Sequence, residues 1–221
     1  LTRVLDITDL VFIIGPRINA AGRIAHGSEA VTLLVEDDYD IALEKTKKVQ
    51  QNNTDRKSLD KDITEEALAL IDNNEILIQK KSTVLYQAHW HKGVIGIVAS
   101  RLIEKYHRPT IVLTASNGKG VGSGRSVPGF DLHDAIDACS EHLVQFGGHK
   151  YAAGLTIEID KINDFIEAFD KVVSERILDE QLIPQIEIDA EIELTDINEK
   201  FYNIVEQMAP FGPGNMRPIF V

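Results

Sequence analysis

The chain has 221 residues, 43% of them hydrophobic and 26% charged, the make-up of an ordinary globular protein with one large or two small domains. Its formal net charge of −12 argues against a nucleic-acid-binding surface spread over the whole molecule, and no apolar run is long enough to span a membrane. The single cysteine, Cys139, excludes an internal disulfide and fits a reducing, cytoplasmic setting.

No basic leader with an apolar stretch opens the chain. With Leu1 in first place and a strand-like Ile219-Phe220-Val221 in last, the sequence reads as a segment of a longer protein. Residues 1–14 are apolar with scattered charges and lead to a turn at Gly15-Pro16. Ser28 and Glu29 then open an apolar stretch through Ala30, Val31, Leu33 and Leu34. From Ile41 to about Asn73 the spacing predicts one long helix, with Leu59, Ile63, Ala67, Leu70 and Ile71 on one side. Its first half, Glu44 to Lys57, offers only Val49, as expected of a helix with little protein to lean on. Asp38-Tyr39-Asp40 has the spacing of a metal-binding pair, but acids at a helix start are better read as caps.

A boundary near residue 75 opens an α/β region over 76–183. Thr83 to Ala88 reads as a strand, Val94 to Tyr106 as a helix and Thr110 to Leu113 as a short buried strand. Asp131 caps a helix through Leu132, Ile136, Cys139 and Leu143. Leu155, Ile157 and Ile159 alternate as a half-buried strand, and Ile162 to Val173 makes an amphipathic helix. The fold class is α/β, a mixed sheet flanked by helices with a long helical lead-in over 1–75. After Pro184, the alternation of Ile186, Ile188, Ala190, Ile192 and Leu194 predicts the first strand of a further β domain over 184–221. The acidity sits here: residues 157–200 hold fourteen Asp or Glu against four Lys or Arg, whereas residues 1–156 carry only −2. The first two-thirds can therefore hold a basic site.

Three stretches carry candidate chemistry. Gly118, Gly120, Gly122, Gly124 and Gly129 fall within twelve residues, interleaved with Ser123 and Arg125, and read as a loop whose N–H groups approach an anion. Ser123 and Arg125 stand at i and i+2, so an extended segment puts both on one face. Neither a P-loop nor a dinucleotide fingerprint is complete. In Gly147-Gly148-His149, the glycines free the backbone and make His149 a ligand-facing donor. In Gly15 to Arg23, Arg17, Asn19 and Arg23 suit phosphate contacts. His89-Trp90-His91 is a weaker metal or stacking candidate than a strand end covering the core. Ser123, His149 and Asp131 assemble into a triad only on paper.

The runs GPRINAAGR (15–23), HKGVIGIVASRL (91–102), GSGRS (122–126), GGHKYAAG (147–154) and APFGPGN (209–215) resemble the DHH/DHHA1 phosphoesterases, and within them the RecJ-like single-strand-specific exonucleases. The resemblance covers essentially the whole chain. It implies a DHHA1-type domain over 76–183 and the start of an OB-like domain at 184–221. It also implies a parent enzyme that cuts single-stranded DNA 5′→3′ in repair and recombination, using Mn²⁺ or Mg²⁺, with helicase or single-strand-binding proteins as partners. The metals would sit on a DHH triplet that this sequence lacks, so no cofactor and no catalytic residue is expected in these 221 residues. Arg17, Ser123 and Arg125 would take the DNA backbone or its terminal phosphate, and His149 would face the scissile region. Asn19, Arg23, Gly147 and Gly148 complete the substrate-binding set. The Gly118–Gly129 and Gly147–Gly154 stretches are expected on one cleft. A binding module without hydrolysis, and the oligoribonuclease or cyclic-dinucleotide phosphodiesterase class, are the alternatives.

Overall fold

The computed structural model describes residues 5–212 and 214–221; Leu1 to Val4 and Pro213, parts of the apolar lead and of the APFGPGN run, lie outside them. A short turn of helix α1 (Ile7–Asp9), capped by the Asp6 carboxylate, passes through a π-turn into α2 (Gly15–Ile24). Gly15-Pro16 is therefore not a turn but lies inside a continuous helical run over 7–24. The π-turn just before it, where the Gly15 N–H reaches back to the Leu10 carbonyl, is the kind of local irregularity that accommodates a proline without an N–H.

After α3 (Ser28–Leu34), helix α4 runs unbroken over Tyr39–Asp72, a rod of about 50 Å. Asp38 caps it, accepting from the N–H groups of Asp40 at 2.9 Å and Ile41 at 3.0 Å. Its first half is not without support: α2 and α3 pack along it, burying Val49, Asn52 and Asn53. Sequence periodicity misses this because two of the three buried residues are amides, and Asn52 finds its partner in Glu29 at 3.0 Å. In the second half the buried Asp60 receives both Nε and Nη2 of Arg101 at 3.0 Å, tying α4 to α6 (Ile95–Tyr106).

Past α5 (Glu75–Gln79), the sheet has the order β1-β2-β3-β5-β4, with β1 (Thr83–Tyr86) parallel to β2 (Thr110–Ser116) and every other pair antiparallel. The mixed sheet with flanking helices matches the fold read from the sequence. The glycine-rich stretch is not a loop: Lys119–Arg125 is strand β3, in the middle of the sheet. Its N–H groups face two ladders and are not free for an anion. Its glycines make room on one face for their neighbours' side chains. A Cβ at Gly120, Gly122 or Gly124 would fall within 2.7, 2.7 and 2.9 Å of Ile157, Leu113 and Leu132. That face packs on α7 (Leu132–Asp137) and α8 (Ile162–Arg176); the other receives α6 and, behind it, α4.

The helix predicted through Leu143 ends at Asp137, because Leu143 opens β4 (Leu143–His149), paired with β5 (Ala152–Ile157). Residues 186–193 form no regular strand, and Leu194 opens a 3-10 turn (Leu194–Asp196). Two bonds at 2.9 Å, Asp189 N–H to the Ile219 carbonyl and Ile192 N–H to that of Val221, pair the run with 219–221 across α9 (Glu199–Glu206). Among the described residues no helix is long and apolar enough to cross a membrane.

Arg108 joins α5 to the sheet. It is 4% exposed and donates to the carbonyls of Leu77, Ile78 and Lys80 and to the Thr83 hydroxyl, at 2.5–2.9 Å. Arg108→Met would leave the buried Thr83 hydroxyl and three half-buried carbonyls without their donor, and we expect a loss of about 2–4 kcal/mol in urea denaturation with an unchanged m-value. Retained stability would show that these contacts carry little.

Candidate functional site

Two residues apart on β3, Ser123 and Arg125 point to the face covered by α6. The contact is close: a Cβ at Gly96, in the first turn of α6, would lie 2.8 Å from the Ser123 hydroxyl and 3.0 Å from an Arg125 nitrogen. Arg125 is half-buried, and its Nη1 donates to Ser123 Oγ at 3.1 Å and to the Gly124 carbonyl at 2.7 Å. Burial pushes its pKa down, and the nearby Arg23 guanidinium pushes it the same way. Arg23 closes the α2 side and donates to the Gly93 carbonyl at 3.1 Å. None of these acceptors is a carboxylate. Among the described residues the two cations meet no carboxylate, and they stand next to a hydroxyl and to the first turn of α6, whose N-cap Val94 supplies no side-chain cap. A helix start adds partial positive charge to such a place, so the arrangement is built for an anion.

The sheet register extends the site sideways. Arg125 pairs with Ala152 and Ala152 with His149; Ser123 pairs with Gly154 and Gly154 with Gly147. Ladder partners share a face, so His149 and Gly147 stand roughly 10 Å from Arg125 and Ser123 on the same side of the sheet. Only Ala152 and Gly154 lie between, leaving a shallow, exposed shelf. Gly148 is required at the bend: its φ is +148°, and a Cβ there would fall 2.3 Å from the Ala152 carbonyl oxygen.

The structure thus brings together Arg23, Ser123 and Arg125, with Gly147 and His149 across the shelf. Asn19 and Arg23 line one cleft of about 450 Å³ between α2 and α3. Arg17 is turned elsewhere, donating to Gln50 Oε1 at 2.7 Å and to the Ile13 carbonyl at 2.6 Å. The paper triad does not assemble: Asp131 caps α7 and His149 stands two strands from Ser123. Trp90 is buried and, with His89, bonds the single carboxylate of Glu66, so this pair closes the end of a loop. Sequence reasoning missed Gly93 and Gly96. Gly93 is where the last turn of α2 touches the loop before α6, since a Cβ there would fall 2.1 Å from the Arg23 carbonyl oxygen. A glycine pair at i and i+3 across a helix start was the available signal.

Residues 79–175 match the family model of the DHHA1 domain, and residues 188–221 that of the RecJ OB domain. Over 94% of its length the chain is 33% identical to the single-stranded-DNA-specific exonuclease RecJ of Bacillus subtilis, and over 96% it is 34% identical to that of Haemophilus influenzae. Residues 79–175 thus resemble a DHHA1 domain, within a chain that resembles RecJ exonucleases over most of its length. It spans 26% of the first relative and 38% of the second. The crystal structure of RecJ in complex with Mg²⁺ from Thermus thermophilus superposes with a TM-score of 0.85 at 26% identity, over 96% of this chain and 33% of that one. An exonuclease RecJ bound to manganese gives 0.69 at 30% identity, over 79% of this chain and 43% of that one. In the DHHA1 domain here, β3 and the β4–β5 hairpin supply Ser123, Arg125, Gly147 and His149, while Arg23 reaches in from the helical lead.

An arginine half-buried beside another cation costs stability unless something anionic is bound. Arg125→Met should therefore leave the thermal midpoint of the ligand-free chain unchanged or raise it, in contrast to Arg108→Met. A drop comparable to that of Arg108→Met would make Arg125 a structural residue.

Proposed function

We propose that this chain forms the substrate-holding side of a single-stranded-DNA-specific exonuclease that works 5′→3′ in DNA repair and recombination. In this reading residues 1–75 lead in and bridge, 76–183 form the DHHA1 domain, and 184–221 belong to an OB-type domain. The observation that carries it is the meeting of Arg23 and Arg125, without a countercharge, over Ser123 and the start of α6. A guanidinium offers a planar fork to phosphate oxygens, and two forks with a hydroxyl between them suit a terminal phosphate better than a neutral ligand. From there the strand crosses Ala152 and Gly154, where small residues let its backbone lie close, toward His149 at the bond to be cut.

Divalent ions, Mn²⁺ or Mg²⁺, would activate the attacking water and stabilise the leaving oxygen. Among the described residues no three His, Cys, Asp or Glu side chains converge, and the sequence has no Asp-His-His triplet. A metal pair does not fit on the described residues, and in this reading the ions belong to residues outside this chain. The relatives named above, single-stranded-DNA-specific exonucleases, support the substrate class.

Equilibrium binding of 5′-phosphorylated oligonucleotides, without metal and at two salt concentrations, tests the clamp. Charge-assisted bonds of this kind are worth about 1.5–3 kcal/mol each. Arg125→Ala should weaken binding roughly ten- to a hundred-fold, Arg23→Ala should act in the same direction, and Arg125→Lys should recover part of the loss. The defect should be alike across base sequences and should flatten the salt dependence. Unchanged affinity in Arg125→Ala would overturn the clamp. The chain alone, given Mn²⁺ and single-stranded DNA, should show no turnover; chelator-sensitive hydrolysis would overturn the assignment of the metals elsewhere.

A further inference from the structure

The clamp holds phosphate and leaves open what receives the base attached to it. Trp90, the one tryptophan, is unavailable: it is 3% exposed, and its indole N–H is held by Glu66 at 2.9 Å. At the tip of the β4–β5 hairpin, however, Lys150 and Tyr151 form the two-residue turn between His149 and Ala152. The turn is pinned at both residues. The Tyr151 carbonyl accepts from the Ser126 N–H at 3.1 Å, and the Lys150 carbonyl accepts from the Leu132 N–H at 2.9 Å. On this fixed backbone the Tyr151 side chain is 51% exposed, with the Lys150 ammonium 5.7 Å from its ring centroid. Tyr151 adjoins Ala152, the ladder partner of Arg125, so its Cα lies within about 9 Å of the Arg125 Cα.

We propose that Tyr151 is a stacking platform for a nucleobase of the strand whose phosphate Arg23 and Arg125 hold, with Lys150 placed for a neighbouring phosphate. The inference rests on the function proposed above and deepens it. Every base has a π-face, so an aromatic platform binds single strands without reading their sequence. A tyrosine on a pinned turn loses little freedom when the base arrives. Duplex DNA keeps its bases stacked on one another and cannot offer one to the ring, so the platform also favours single strands.

The test compares a 5′-phosphorylated single-stranded oligonucleotide with the same strand made abasic at its first three nucleotides, each binding the full chain without metal. Stacking on one aromatic is worth about 1–3 kcal/mol. Tyr151→Ala should therefore weaken the intact strand roughly 5- to 100-fold and leave the abasic strand unchanged. Tyr151→Phe should keep the wild-type affinity for both, since the ring is what stacks. Arg125→Ala should weaken both strands. If Tyr151→Ala leaves the intact strand unaffected, or weakens both strands equally, the platform alone is overturned. If Arg125→Ala affects neither strand, the clamp is overturned and the platform falls with it.

Discussion

Gly96 sits where any side chain would collide with the Ser123 hydroxyl and the Arg125 guanidinium, so the first turn of α6 rests directly on β3. That contact fixes most of what surrounds it. It presses Arg125 into partial burial and brings the helix start beside Ser123. Through Gly93, against whose Cα the Arg23 carbonyl closes, it sets where α2 ends. A bulkier residue at either glycine would separate the helical lead from the sheet, and with it Arg23 from Arg125. The arginine pair is thus a product of backbone approach. It needs no long loop, and the site is carried by two helices and a central strand.

Electrostatics sharpen this arrangement. The chain is strongly acidic, yet its acidity is concentrated in residues 157–200, while the stretch that holds the arginines is close to balance. In the proposed function a polyanion would be repelled from the acidic stretch and admitted at the arginine face. Net charge therefore describes solubility here, and the local field decides where a phosphate goes. The stability cost of holding two cations without a countercharge is offset elsewhere, in the packing of Phe165, Phe169, Leu113 and Ile157 on the far face of the sheet.

What can be read from the residues alone follows the range over which the determining contacts act. The caps at Asp38 and Asp131, the helices at 95–106 and 162–176, and the shared face of Ser123 and Arg125 are local matters of spacing, and spacing exposes them. The glycine-rich strand reads as a loop in sequence because the apolar side chains that justify it belong to β2, β5 and α7. Its own sequence shows only the gaps, although glycine at every second position is itself a period-two signal. Leu143 continues a helical spacing and equally begins a strand, and only the pairing with Ile157 decides between them. Arg17 and Arg23 look alike from six residues apart. What separates them is Arg125, about a hundred positions further on, which no local pattern contains.

Arg108 and Arg125 show how differently two buried arginines can be engaged. Both are substantially buried, and burial pushes the pKa of each down. Arg108 spends its donors on three carbonyls and a hydroxyl that would otherwise be orphaned, and it lies over the Tyr106 ring. Arg125 satisfies one nitrogen on its own strand and turns toward another cation. Burial alone does not single out a candidate binding residue; what sets Arg125 apart is that, among the described residues, it faces a second cation and no carboxylate. The same comparison sets aside His89 and Trp90, which Glu66 already satisfies, and keeps the shelf from Arg125 to His149 as the surface the proposed function assigns to the ligand.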